Sequence, residues 1–243
     1  MKPIPRALLA LLLLLSAPFA CGADERPAEA AYVRLPQRPR DGIGVAYFGR
    51  EIAQVMGHEG AGWLERAGRE AEERTDLLLK ALDLKPGDKV ADVGAGSGYF
   101  SWRMAKLVGD QGKVLAVDIQ QQMLDLLMAN MARRGVAERV QPVLGTVSDP
   151  MLPPGSVDVI LLVDVYHEFD HPYEMSRAMI RALKPGGRLV IVEYRGEDPE
   201  VHIKPLHKMT VAQMRREFAI HPVILDRVDA QLPQQHIFVF RRN

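Results

Sequence analysis

One ten-residue segment constrains this chain more than any other: Val90-Ala91-Asp92-Val93-Gly94-Ala95-Gly96-Ser97-Gly98-Tyr99. It joins a short apolar strand, residues 89–93, to a helical stripe carried by Phe100, Met104, Leu107 and Val108. Glycines at such a junction let a ligand approach the backbone closely. They also aim the N–H groups of the following helix at that ligand. A turn of this kind belongs at the carboxyl end of a strand in a strand–helix–strand unit.

The rest of the chain repeats that unit. Apolar runs at 114–117, 140–144 and 157–163 alternate with helical stripes. One stripe is Leu77, Leu78, Ala81 and Leu82, a second is Met123, Leu124, Leu127, Met128 and Met131, and a third runs from Met175 to Leu183. The run 157–163 is nearly all apolar, as a strand buried on both faces requires. A strand at 189–192, a helix near 210–219 and strands at 223–227 and 237–240 complete the pattern. The expected fold is α/β: a doubly wound, Rossmann-like, mostly parallel seven-stranded sheet with helices on both faces. At 243 residues with 47% hydrophobic and 26% charged side chains, the chain is long enough for one full core. Equal numbers of acidic and basic residues, 31 each, argue against a nucleic-acid binder.

Asp118 stands at the end of the second strand, 20 residues after Gly98. A carboxylate there accepts hydrogen bonds from both hydroxyls of a ribose, so a nucleoside-containing cofactor is expected. The dinucleotide fingerprint fits poorly, because the third glycine falls one place early and Tyr99 takes its position. Asp92, two residues before the first glycine, would repel a pyrophosphate and suits a ligand carrying an ammonium group.

This D-x-G-x-G-x-G pattern resembles motif I of the class I S-adenosylmethionine (SAM)-dependent methyltransferases. The likeness extends over about residues 75–240 and includes Leu-Lys-Pro-Gly-Gly-Arg-Leu at 183–189. Within that superfamily it is most similar to the small-molecule branch holding the quinone-biosynthesis C-methyltransferases. The resemblance implies SAM as cofactor, with Asp92, Gly94, Ala95, Gly96 and Gly98 around its methionine and ribose parts. Asp118 would hold the ribose hydroxyls, and Ile119 and Met123 the adenine. Thr146 and Val147 would meet the adenine edge, and Asp164 would close the site. Many members carry Asp at the position of Thr146, and Met123 also fits a plain helix core.

The loop Val163-Asp164-Val165-Tyr166-His167-Glu168 follows the fourth strand, where the family places residues facing the transferable methyl. His167 or Glu168 is the candidate general base if the acceptor must lose a proton; the alternative is that both only hydrogen-bond loop backbone. His167-Glu168-Phe169-Asp170-His171 also reads as H-E-x-x-H, a zinc-protease signature. Its place directly after a strand, and Pro172 behind it, oppose the required helix. No metal site is therefore expected, and His202 and His207 receive no role. Residues 41–74 read as a cap or lid ahead of the fold, in which Arg50, His58 and Arg66 are candidates to bind an anionic acceptor or are simply solvated charges.

The first residues read as an address. Lys2 and Arg6, the apolar run 7–15 and the small residues around Ala20 form a signal peptide over 1–23, and residues 24–40, with Pro27, Pro36 and Pro39, form a flexible tether. Cleavage would release the domain 75–243 with its cap, exported and periplasmic or envelope-associated. Lipidation of Cys21, the one cysteine, would anchor it to a membrane instead. The partner implied is a small-molecule acceptor, and no nucleic acid. Export and a cytoplasmic cofactor pull apart. The second reading is accordingly an exported, non-catalytic SAM- or nucleoside-binding protein on the same fold.

Overall fold

The computed structural model of the chain describes residues 31–38 and 40–243; the expected signal peptide, Cys21 and most of the tether lie outside the described residues. Three short strands come first: β1 (Tyr32–Arg34), β2 (Gly42–Tyr47) and β3 (Arg50–Ala53). They pair antiparallel in the order β1-β2-β3. Phe48 and Gly49 turn β2 into β3 with φ of 47° and 86°, the left-handed pair that a two-residue hairpin needs. Short helices α1 (Ala61–Leu64), α2 (Arg69–Glu73) and α3 (Thr75–Ala81) lead into the main domain.

Strand β1 corrects the expected tether at its end. The Tyr32 hydroxyl donates to Glu174 Oε2 (2.8 Å) and accepts from the Tyr173 N–H (3.1 Å), and its ring lies 4.9 Å from that of Tyr47. Those contacts hold residues 32–34 on the domain. The cap is thus a small sheet plus single-turn helices, with Ala31, Tyr47 and Ile52 buried as its own core.

The main sheet contains β4 (Lys89–Val93), β5 (Lys113–Asp118), β6 (Val140–Leu144), β7 (Val157–Val163) and β8 (Leu183–Arg195), all parallel. Beyond β8 come β11 (Gln235–Arg242), antiparallel to it, and β10 (Val223–Asp229). The order is β10-β11-β8-β7-β4-β5-β6, seven strands as expected, and the two-residue β9 (Lys208–Met209) pairs with β8 beside it. Strand β8 is longer than the expected 189–192, with Lys184-Pro185-Gly186-Gly187 drawn into its start.

Side chains alternate across the strands, and both faces are covered. Val159 and Leu161 face a cluster with Leu78, Met104 and Leu127 from α3, α4 (Ser101–Val108) and α5 (Gln121–Arg133). Ile160 and Leu162 face the opposite cluster, with Met175 and Met179 of α6 (Pro172–Ala182) and Met214 and Phe218 of α7 (Val211–Phe218). Pro172 occupies the first turn of α6, where its missing N–H costs nothing. Among the described residues no helix is long and apolar enough to cross a membrane.

Candidate functional site

From β4 the chain crosses to β5 and β6 on one side, then jumps back to β7 and β8 on the other. A crevice forms where that direction reverses, outside the carboxyl ends of β4 and β7. A cavity of about 490 Å³ lies there, roofed by Met56, Trp63 and Leu64 of the cap.

The glycine loop forms the floor. Gly94 has φ 74°, and a Cβ on it would stand 2.4 Å from Val165 Cγ2 in the loop after β7, so only glycine lets the two loops meet. Its N–H and that of Ala95 both donate to the Val117 carbonyl at 2.9 Å. Gly94 and Gly96 line the cavity. Gly98, Ala95 and Asp92 are not among its lining residues, a departure from their expected contact with the ligand. A Cβ on Gly98 would meet Leu127 and Met131, so this glycine serves the packing of α5. Ala95 is buried in the same apolar cluster. The buried Asp92 carboxylate accepts from Ser101 Oγ at 2.6 Å, pinning the loop to α4. Burial, only partly offset by that hydrogen bond, raises its pKa to about 6.

Asp118 ends β5 with one oxygen on this loop and the other on its own loop. One accepts from the Gly96 N–H (3.0 Å), the other from the Gln120 N–H (2.9 Å), and each keeps a lone pair. Burial raises its pKa. Ile119, Met123, Thr146 and Val147 line the cavity beyond it; Ile119 and Val147 are exposed large apolar side chains, and Met123 is buried. Thr146 Oγ1 is taken up by its own loop, accepting from the Asp149 N–H at 2.9 Å.

Asp164 follows β7 with φ 54°. Its Oδ2 accepts from Gln235 Nε2 (2.8 Å), its buried Oδ1 has no partner, and the residue is among those lining the cavity. Burial, with Glu73 and Glu193 adding like charge, holds its pKa well above the usual carboxylate range. A buried acceptor without a donor is costly unless a ligand supplies one. The open lone pairs of Asp118 fit a ribose diol, the apolar slot past Ile119 fits a base, and Asp164 Oδ1 fits an ammonium. These residues therefore fit SAM.

At the far end of the cavity a cluster of polar side chains is set among apolar walls. His167 lies in the single turn Tyr166–Glu168 and is fully buried. Its Nδ1 is 2.6 Å from Glu193 Oε2 on β8, and its backbone N–H donates to the other Glu193 oxygen (3.2 Å). Its Nε2 is 2.9 Å from His207 Nδ1. Burial pushes His167 down to about 4 and Glu193 up to about 8, so burial opposes charge on both members of the pair. Burial also lowers His207 to about 4 and raises Glu168 to about 7. His207 and Glu193 carried no role in the sequence reading. Glu193 was detectable as the one carboxylate in the apolar run Leu189-Val190-Ile191-Val192-Glu193. His207 is 40 residues from His167, and only the path of the β8–β9 connection brings them together.

The other half of the H-E-x-x-H pattern falls apart. His171 precedes α6 with its ring near Tyr32, away from His167 and His207. Among the cap cations, Arg50 makes a two-point ion pair with the buried Glu217 (2.7 and 3.0 Å) and donates to the His167 carbonyl. Arg66 is paired with Glu72 and Glu73. Neither they nor His58 line the cavity, so these three expected cations are not placed to bind an acceptor in it.

Sheet order, glycine loop and crevice define a doubly wound α/β domain with a ligand cavity at its switch point. Residues 90–187 match the family model described as a methyltransferase domain. Among curated proteins, the ubiquinone/menaquinone biosynthesis C-methyltransferase UbiE of Ectopseudomonas mendocina is 32% identical over 118 residues, 49% of this chain and 46% of that one. That of Pseudomonas entomophila is 30% identical over 148 residues, 60% and 55%. The chain spans about half the length of the curated relatives it matches. Among solved structures, a SAM-dependent methyltransferase from Aquifex aeolicus superposes with a TM-score of 0.71 at 23% identity, over 77% of this chain and 98% of that one. A protein titled a possible exported protein from Bordetella parapertussis shares the fold with a TM-score of 0.57 at 18% identity, over 70% and 67%.

Proposed function

We propose that this protein binds SAM and transfers its methyl group to a small-molecule acceptor. The observation that carries the reading is one cavity lined by Gly94, Gly96, Asp118 and Asp164, the last with a buried oxygen that has no partner. When bound, the cofactor supplies a sulfonium methyl whose leaving group is a neutral thioether. The chain's own work is then alignment and exclusion of water. Asp118 holds the ribose, Ile119, Met123 and Val147 hold the base, and Asp164 accepts from the ammonium. Asp92, Ala95 and Gly98 shape the loop from behind.

The acceptor enters under the cap. Met56, Trp63, Phe169 and Met175 make that end largely apolar, which suits a flat, hydrophobic acceptor. UbiE relatives are named for quinone biosynthesis, and an acceptor of that shape class is consistent with this lining. His167 has both ring nitrogens engaged, so Glu168, which lines the cavity, is the better placed of the two candidate bases. Export to the periplasm or envelope remains part of the proposal and rests on residues 1–23 alone.

Calorimetric titration of the purified protein with SAM tests the reading. One site with micromolar affinity is expected. Asp118→Ala loses charge-assisted hydrogen bonds to the ribose, each about 1.5–3 kcal/mol, so its affinity should fall at least about tenfold. A folded wild-type protein that binds no SAM would overturn the proposal. Binding with no turnover on any quinol or phenol acceptor favours the non-catalytic reading.

A further inference from the structure

Three polar side chains at the acceptor end are not accounted for by binding SAM. His167 Nε2 and His207 Nδ1 stand 2.9 Å apart, and Glu168 Oε1 lies 4.0 Å from the first and 3.9 Å from the second. A point equidistant from the corners of that triangle is about 2.1 Å from each, the bond length of imidazole nitrogen and carboxylate oxygen to a divalent transition metal. Among the described residues no other three His, Cys, Asp or Glu side chains converge in this way.

We propose that His167, His207 and Glu168 bind a divalent transition-metal ion of the zinc or iron type. Two imidazoles and one carboxylate are a recognised donor set for such ions when open positions are kept for water or substrate. The outer contacts agree. Glu193 places one oxygen 2.6 Å from His167 Nδ1 and accepts the His167 backbone N–H with the other, the carboxylate–histidine arrangement that fixes the ring with Nε2 directed at the ion. Lys204, the cation next to His207, is engaged by Asp41 at 2.8 Å. The three donors arise from two separate segments, the turn after β7 and the turn Pro205–His207 before β9, both packed at the carboxyl end of the sheet.

The ion would face the same cavity as the cofactor. On the methyltransferase proposal, an acceptor hydroxyl coordinated there would release its proton to water, its pKa lowered by the ion, and Glu168 would act as ligand in place of base. That consequence rests on the proposed function; the metal site does not.

The test uses the full chain, stripped with a chelator and titrated with Co²⁺ in the absence of SAM. One Co²⁺ per chain, visible ligand-field bands and displacement by Zn²⁺ are expected. His207→Ala, in a partly exposed turn that can tolerate it, should weaken Co²⁺ binding at least 100-fold. Glu168→Gln gives a second, independent loss. Glu193→Gln should weaken binding about 10–100-fold while leaving one ion bound at saturation. Absence of the bands at millimolar Co²⁺, or affinity unchanged in both His207→Ala and Glu168→Gln, overturns the site. SAM titration of the same stripped protein reads the methyltransferase proposal separately, so either can fail alone.

Discussion

Asp92 shows how a motif residue can matter without touching a ligand. Its carboxylate is 3% exposed and hydrogen-bonded to Ser101. Burial raises its pKa to about 6 from the ordinary 3.8. The folded state therefore holds this proton more tightly than the unfolded chain. The resulting stability is fully present below about pH 4 and is lost as pH rises through about 6. A shift of that size corresponds to roughly 3 kcal/mol at most. Asp92→Asn keeps an acceptor for Ser101 and carries no charge. Thermal melts from pH 4 to 8 should show the variant gaining on wild type as pH rises from 4 to 7, with a constant difference above. A difference that stays flat across that range would show that Asp92 does not titrate there. The sequence placed Asp92 against an ammonium because its position in the pattern was visible and the direction of its side chain was not. Asp164, one of several candidates in the sequence, is the cavity-lining carboxylate that the fold leaves with a buried, unpartnered oxygen.

At the scale of elements, the strands were legible because both faces of the sheet are buried, and runs such as 157–163 have no other use. The glycine loop and Asp118 followed from strand ends, so their side of the crevice could be placed from sequence. The cap could not. Its strands are three to six residues long, and its hold on the domain runs through pairs distant in sequence. Arg50 on β3 is the main example: it reaches Glu217 on α7 and the His167 carbonyl, while Tyr166 donates to the same Glu217 (2.8 Å). Both charges are buried. Arg50→Ala should leave Glu217 uncompensated and cost about 3–5 kcal/mol in denaturant unfolding. Arg50→Lys, which cannot make the two-point contact, should fall between. Should Arg50→Ala unfold at the wild-type midpoint, the pair does not lock the cap.

For the whole molecule, loops at the sheet's switch point line one part of the cavity and the cap another, so a ligand filling it would tie the two layers together. The acceptor-end polar group illustrates why this was not legible beforehand: His207, Glu193 and His167 come from three segments that only the closed fold assembles. A ligand that binds the folded state alone stabilises it by about 2.7 kcal/mol at one hundred times its dissociation constant. In a domain of this size each kcal/mol raises the melting temperature by about 2–4 °C. Saturating SAM should therefore raise the melting temperature by roughly 5–10 °C, and Asp118→Ala at the same concentration should show a smaller rise. Because Arg50 lies in the cap and not on the cavity wall, Arg50→Ala should melt earlier yet keep most of the SAM-induced increment. Loss of that increment in Arg50→Ala, with Asp118→Ala retaining it, would mean that the cap and not the glycine-loop crevice holds the cofactor.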